Sequence, residues 1–310
     1  MLKGFISVAV NSGPNLSDMI AQMKFAHYVN FSGLVRKVGI ESAAKQAISL
    51  GYLSVEFLDI AGRDGFISTF KSPDEAVAAK AVLDRYGLSV ACYSVGVTLI
   101  SEKKPTVADR KAVEELKRLA EIAAVIGSPF LHHTLIMPLS LPTDAPSYEE
   151  VLPSVLDAAE EVANYCKGIG LICLYEPQGM YFNGVEGYGR FYREIRKRCP
   201  NVGVCADIGN TIFIDQSPLP FVEMFARDTM HVHLKNYRLR PPRPDGETSK
   251  LRSKSGICLE CVSLKSGDID IVSCLQILKK AGYNGAFALE DHYDPDETAD
   301  AMRFVAKIYE

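Results

Sequence analysis

The amino-acid sequence predicts a closed (β/α)8 barrel of the TIM type, a single domain over residues 1–310, and three observations predict it. Eight short runs are apolar on both faces, as parallel strands covered by helices require. Amphipathic segments of helical period alternate with them along the chain. Glycines 51, 87, 127, 170 and 282 stand where those segments hand over to the next strand, a place that favours a left-handed residue. Right-handed crossovers repeated in series curl such a sheet shut. An open doubly wound sheet is the competing arrangement. It lacks support, because no Gly-x-Gly-x-x-Gly turn follows a strand and no Gly-x-x-x-x-Gly-Lys-Ser/Thr loop offers a phosphate cradle.

Taken in order, the strands are predicted at residues 4–9, 53–57, 89–94, 130–133, 171–175, 203–206, 230–234 and 286–289. Each is too short and too apolar for a surface helix. Helical period appears at 41–50, 73–86, 109–126, 148–168 and 269–281. In the last of these, Ile271, Cys274, Leu275 and Leu278 share one face, and Lys279 and Lys280 complement the dipole of the final turn. Two connections exceed the usual length. Residues 11–40 separate the first strand from its helix, and residues 237–267 separate the seventh strand from its helix, so extended loops are expected after strands one and seven. Both follow strand C-terminal ends, the face on which barrel active sites are built.

Composition narrows the function classes. Apolar residues make up 47% of the chain and charged residues 23%, the balance of a globular protein with a large core. A formal net charge of −4 gives no electrostatic reason to bind polyanions, so nucleic acid is not an expected partner. No apolar run approaches the roughly 18–20 residues that span a bilayer, so no membrane role is expected. The eight cysteines are scattered, several within apolar strands, which fits a reduced, cytoplasmic protein better than a disulfide scaffold.

Polar residues at strand ends carry the chemistry. The fifth strand ends Leu-Tyr-Glu-Pro at Glu176, and the sixth ends Ala-Asp-Ile-Gly-Asn with Asp207 at the corresponding point. The seventh reads His-Val-His-Leu-Lys-Asn, placing His231 and His233 on one face, and the eighth delivers Glu290. Three carboxylates brought to one mouth repel one another unless a cation sits among them. Three oxygens and one imidazole suit one divalent ion, with manganese, magnesium, cobalt or zinc favoured over a soft metal. His231, two residues deeper, reads as an inner-layer histidine.

These motifs, with Gly267-Asp-Ile-Asp and Gly282-Tyr-Asn-Gly, resemble the xylose isomerase-like TIM barrel superfamily and, within it, the sugar phosphate isomerase/epimerase branch. The resemblance is strongest from residue 170 to 290. It implies that Glu176, Asp207, His233 and Glu290 bind one divalent metal. It also implies that Glu176 and Glu290 shuttle a proton on opposite faces of a carbon next to a carbonyl. The chain departs from the epimerase pattern in carrying Asn210 where a His is usual and Asn236 where an Asp is usual. Arg238 stands five rather than six residues past the metal His.

Further candidates for substrate contact are Glu56, His132, Asn210, Lys235 and Arg238. Glu56 ends the second strand and is expected to face the mouth. His132 and His133 point to opposite faces, so at most one lines the pocket. Lys235 is assigned to the face opposite His233, in a buried ion pair; His292 follows Glu290. Cys258 and Cys261 form a single Cys-x-x-Cys pair without a partner pair, and the alternation around them predicts a short strand or hairpin. Residues 238–254 hold six cations against two carboxylates, which points either to a lid that meets an anionic substrate or to an oligomer contact through a proline-rich arm.

The expected activity is a metal-dependent isomerase or epimerase of a small polyhydroxy carbonyl compound, a sugar or sugar acid, through an enediolate. A dehydratase of a keto-inositol or shikimate-type substrate is the alternative on the same scaffold. A phosphodiester-cleaving endonuclease would need more histidines than the six present, and a metal-free binding protein would not need all four ligands.

Overall fold

In the computed structural model, which describes residues 23–62, 65–101, 104–138, 144–242, 251–290 and 294–310, eight parallel strands close into one barrel. Around the ring they are β1 (Phe25–His27), β2 (Ser54–Gly62), β4 (Ser89–Gly96), β7 (Phe130–His133), β8 (Ile172–Tyr175), β9 (Val202–Asp207), β10 (Thr229–Leu234) and β13 (Phe287–Leu289). β13 pairs with β1, which pairs with β2, and this closes the ring. Short antiparallel additions complete the numbering: β3 (Gly65–Ile67) folds back on β2, β5 (Ile100–Ser101) pairs with β6 (Lys104–Ala108), and β11 (Asn236–Arg240) pairs with β12 (Cys258–Val262).

The strands are buried because helices cover their outer faces; all six residues of β9 are inaccessible. Those helices carry the start signals that the chain order demands. Ser147 and Glu150 form a reciprocal capping box at the head of Tyr148–Gly168. Asp109, Asp270 and Asp294 accept from the first free amides of the helices that follow them. The aromatic core runs through Phe57, Tyr93, Tyr175, Tyr188 and Phe191, all fully buried between sheet and helices.

Seven of the eight strands lie where the pattern predicts them, within a few residues. The first does not. Residues 4–9 lie outside the described residues, and the ring closes without them through Phe25–His27, inside the stretch expected to be a loop. The helix Asn30–Val38 follows almost at once, so the described part of the stretch expected to be a loop is a barrel strand and a helix. A three-residue strand is shorter than the window over which alternation can be recognised; pairing on both sides supplies what the local pattern lacks.

The long segment after β10 is also more ordered than a simple loop. Its described part is the β11–β12 hairpin, and residues 243–250 fall outside the description. Asn236 braces the hairpin. Its Oδ1 accepts from the amides of Tyr237 (2.8 Å) and Ile269 (3.0 Å), and its Nδ2 donates to the carbonyls of Leu264 (2.7 Å) and Ile269 (3.4 Å). Gly267 lies so close that a Cβ there would meet Asn236 Oδ1 at 2.0 Å. The amide that stands where an Asp is usual therefore has donors to place as well as acceptors. Asn236→Ala is expected to cost about 2 kcal/mol, measured by urea unfolding, because it strands several buried backbone groups; a loss below about 0.5 kcal/mol would contradict this account.

The hairpin is also tied to the turn after β9. The Phe213 carbonyl accepts from the Lys254 amide (2.8 Å), and the Asp215 carboxylate accepts from the Ser253 hydroxyl and from the amide (2.9 Å) and hydroxyl (2.6 Å) of Ser255.

Candidate active site

Glu176, Asp207, His233 and Glu290 converge at the C-terminal mouth of the barrel. Each leaves the end of β8, β9, β10 or β13, four strands that are adjacent in the ring. His233 Nδ1 is the centre of the group. It lies 3.4 Å from Glu176 Oε2, 3.5 Å from Glu290 Oε1 and 3.7 Å from Asp207 Oδ2. All four side chains are nearly sealed from solvent. By contrast, a cavity of about 460 Å³ at the opposite end of the barrel is lined by Ser54, Ser89, Phe130 and Met230, with no carboxylate or imidazole among the described lining residues. Acid–base chemistry has its groups at the C-terminal mouth.

The donor set fits a divalent ion. Ligand atoms held about 2.1 Å from a common ion lie about 3–4 Å from one another. One atom each from Glu176, Asp207 and His233 lie within 4.8 Å of one another, and Glu290 adds a third carboxylate at the same imidazole. Their oxygen-rich composition suits a hard or borderline cation.

Lys235 corrects the sequence reading. It shares the face of His231 and His233, as a period of two requires, and points into the mouth. Its Nζ donates to Asp207 Oδ2 at 2.8 Å and to Glu290 Oε2 at 3.0 Å. Its stem passes over Gly209, where a Cβ would meet the side chain at 2.6 Å. Burial opposes its charge, but Asp207 and Glu290 outweigh that and raise the amine well above its usual value. The same contacts separate the carboxylates. Burial pushes Asp207 up, yet Lys235 and His233 draw it down to about 2. Burial also pushes Glu290 up, Lys235 pulls it back, Asp207 adds to the rise, and the group settles at about 7. Burial raises Glu176 as well, partly offset by its hydrogen bond with His233. One firmly ionised carboxylate beside two poised ones is a combination suited to proton transfer.

The other candidates divide between mouth and interior. Asn210 belongs to the mouth: its amide N–H donates to Asp207 Oδ1 (2.9 Å) and its Nδ2 to Glu176 Oε2 (3.3 Å). His132 faces inward, with Nε2 3.6 Å from Glu176 Oε1, while His133 packs outward with its ring edge against Tyr175. Glu56 does not face the open mouth as expected. It is fully buried beneath His233, hydrogen-bonded to His231 Nε2 (2.6 Å) and His233 Nε2 (3.1 Å). His231 is the buried inner-layer residue that its depth implied. Arg238 donates to the Ser266 carbonyl at the edge of the hairpin. His292 lies outside the described residues. Cys258 and Cys261 lie on the predicted hairpin strand, one buried and one exposed.

Two mouth residues went unpredicted. Tyr28 stacks on His233 with ring centroids 4.4 Å apart. It follows β1 directly, and recognising that strand would have placed Tyr28 at a strand end. The chain then turns at Val29, whose φ of 52° is rare for a β-branched residue, with the Asn30 amide donating to the Tyr28 carbonyl at 2.6 Å. Tyr237, at the exit from β10, is buried against Phe213, and its phenol feels the charges of Lys235, Glu290 and Asp207.

Among the described residues, no helix is long and apolar enough to cross a membrane. A family model described as xylose isomerase-like TIM barrel matches residues 44–308. The rhizopine catabolism protein MocC of Rhizobium meliloti is 27% identical over 239 residues, which are 73% of this chain and 70% of that protein. Among solved structures, D-allulose 3-epimerase from Methylomonas sp. in complex with D-allulose matches with a TM-score of 0.66 at 16% identity, covering 93% of this chain and 97% of that one. A xylose isomerase-like TIM barrel protein from Mycobacterium smegmatis in complex with magnesium gives a TM-score of 0.64 at 16% identity, covering 87% of each chain. At these identities the structural likeness shows a shared fold.

Proposed function

Because the chain belongs to the xylose isomerase-like TIM barrel family, we propose that it is a divalent-metal-dependent isomerase or epimerase of a small polyhydroxy carbonyl compound. The observation that carries this reading is the gathering of three carboxylates around one imidazole nitrogen at the mouth. Glu176, Asp207, His233 and Glu290 would hold one manganese, magnesium, cobalt or zinc ion. Such an ion, when bound, supplies a Lewis acid that stabilises negative charge on substrate oxygens.

The protein's own groups account for the proton. Glu176 and Glu290 stand on β8 and β13, with β9 and β10 between them in the ring, so they approach the mouth from different sides. One removes the proton from a carbon next to the carbonyl, giving an enediolate, and the other returns a proton to the opposite face or to the neighbouring carbon. Asp207 stays ionised, held by Lys235 and by the Asn210 amide. Tyr28 covers one face of His233 and keeps water from it. The D-allulose bound to one structural neighbour supports a polyhydroxy carbonyl substrate.

Loss of a hydroxyl is the second reading, and Lys235 favours it. Its ammonium can hydrogen-bond a departing hydroxyl, and Glu290 beside it, raised to about 7, can supply the proton. The test is a panel of ketoses, keto-inositols and sugar acids in D2O, with the purified protein loaded in turn with each of the four ions. Isomerase or epimerase chemistry incorporates deuterium at the carbon beside the carbonyl, whereas dehydration yields an absorbing conjugated enone. Dialysis against a chelator is expected to remove activity and to lower Tm, with both restored by the ion. Full activity in protein shown by elemental analysis to be metal-free would refute the proposal.

A further inference from the structure

Beneath the mouth lies a buried polar layer that the proposed chemistry does not use. Glu56, on β2, reaches the barrel axis at a register irregularity between Val55 and Glu56 in its pairing with β4. Its two oxygens collect three partners from two other strands. Oε1 accepts from the Ser94 hydroxyl at 2.5 Å and from His233 Nε2 at 3.1 Å, and Oε2 accepts from His231 Nε2 at 2.6 Å. Glu56 is completely buried. A hydroxyl and two ring nitrogens, each able to donate, converge on its two oxygens, which is the surrounding of a carboxylate that only accepts.

That acceptor dictates where protons sit on the neighbouring rings. A nitrogen directed at an ionised carboxylate must carry hydrogen, so His233 is protonated on Nε2 and Nδ1 is the atom left facing Glu176, Asp207 and Glu290. The Ser94 hydroxyl has one hydrogen, and Glu56 takes it. Ser94 Oγ can then only accept from His132 Nδ1, 2.8 Å away. With its Nδ1 proton committed to Ser94, the neutral ring carries its lone pair on Nε2. That nitrogen is buried, has no hydrogen-bond partner among the described residues, and points toward Glu176 Oε1 at 3.6 Å. Two acceptors facing each other leave a place for a donor or a cation.

We propose that Glu56 is a positioning residue that sets both imidazoles of the mouth, fixing His233 with Nδ1 outward and, through Ser94, His132 with Nε2 outward as an acceptor. The proposal rests on the ligand role of His233 only for its consequence on metal affinity. Second-layer carboxylates of this kind commonly alter metal affinity by about 10–100-fold when removed.

The test uses the full chain, labelled with 15N-histidine and freed of metal, and long-range proton–nitrogen spectra that report which ring nitrogen is protonated. In the wild type, His233 is expected to carry a slowly exchanging proton on Nε2, and His132 a proton on Nδ1 alone. Glu56→Gln is expected to speed exchange of the His233 Nε2 proton at least tenfold and to weaken Mn2+ binding, measured by calorimetry, by about 10–100-fold. Ser94→Ala is expected to release the His132 tautomer while the His233 signal persists. A wild type with His132 protonated on Nε2 would overturn the proposal without any variant having to fold. So would a Glu56→Gln protein with an unchanged His233 signal and unchanged Mn2+ affinity. A wild type that binds no Mn2+ defeats the ligand reading of the mouth, while the spectra still decide the role of Glu56.

Discussion

Glu290→Gln is expected to lower kcat by about a thousandfold while leaving the fold intact, and Glu176→Gln to do the same. Both positions offer a carboxyl raised by burial, one of them to about 7, and a carboxamide of the same shape can neither take nor give the proton. The amide also withdraws one negative charge from a site that already holds Lys235, which weakens its hold on a divalent ion. Steady-state kinetics at saturating metal, with circular dichroism and metal content measured on the same samples, separate the two effects. Near-wild-type turnover in either variant with metal bound would show that its carboxyl moves no proton.

The largest stability loss is expected at Gly179. This residue begins the turn Gly179–Phe182 just after Glu176-Pro177-Gln178, with φ 74°, a conformation costly for any residue with a side chain. A Cβ there would lie 1.9 Å from the carbonyl oxygen of Ile136, which is backbone and cannot rotate away. The neighbouring Met180 amide donates to the Pro138 carbonyl at 3.2 Å, so the loops after β7 and β8 meet here without space between them. Gly179→Ala must either strain φ or push the loops apart. A loss of about 3 kcal/mol in urea unfolding follows, accompanied by lower turnover as Glu176 shifts with its loop. A loss under 1 kcal/mol would show that the loops have slack that the structure does not display.

Much of this was legible in the chain itself, and the particulars show why. Glu176, Asp207, His233 and Glu290 were readable because each follows a strand long enough to reveal its end and because strand ends in a closed ring must converge. Phe25–His27 was not readable, since its three residues become a strand only through partners far away in sequence, Ala26 pairing with Ser54 and Ala288. Missing that strand also hid Tyr28. Lys235 was open to inspection all along: counting by two from His233 places it in the mouth. Glu56 marks a different boundary. Its strand position gave its direction, but whether it reached solvent or stopped beneath a histidine depended on side chains up to 177 residues away.

The ties between Phe213, Asp215 and the segment 253–255 have a consequence for how this barrel can be altered. The turn after β9 and the hairpin after β10 do not vary independently, because each satisfies polar groups of the other. Exchanging either one alone with a relative would orphan a carboxylate or a pair of serines; exchanging both would preserve the match. They form one cassette, and the unit of recombination at this rim of the barrel is two connections wide.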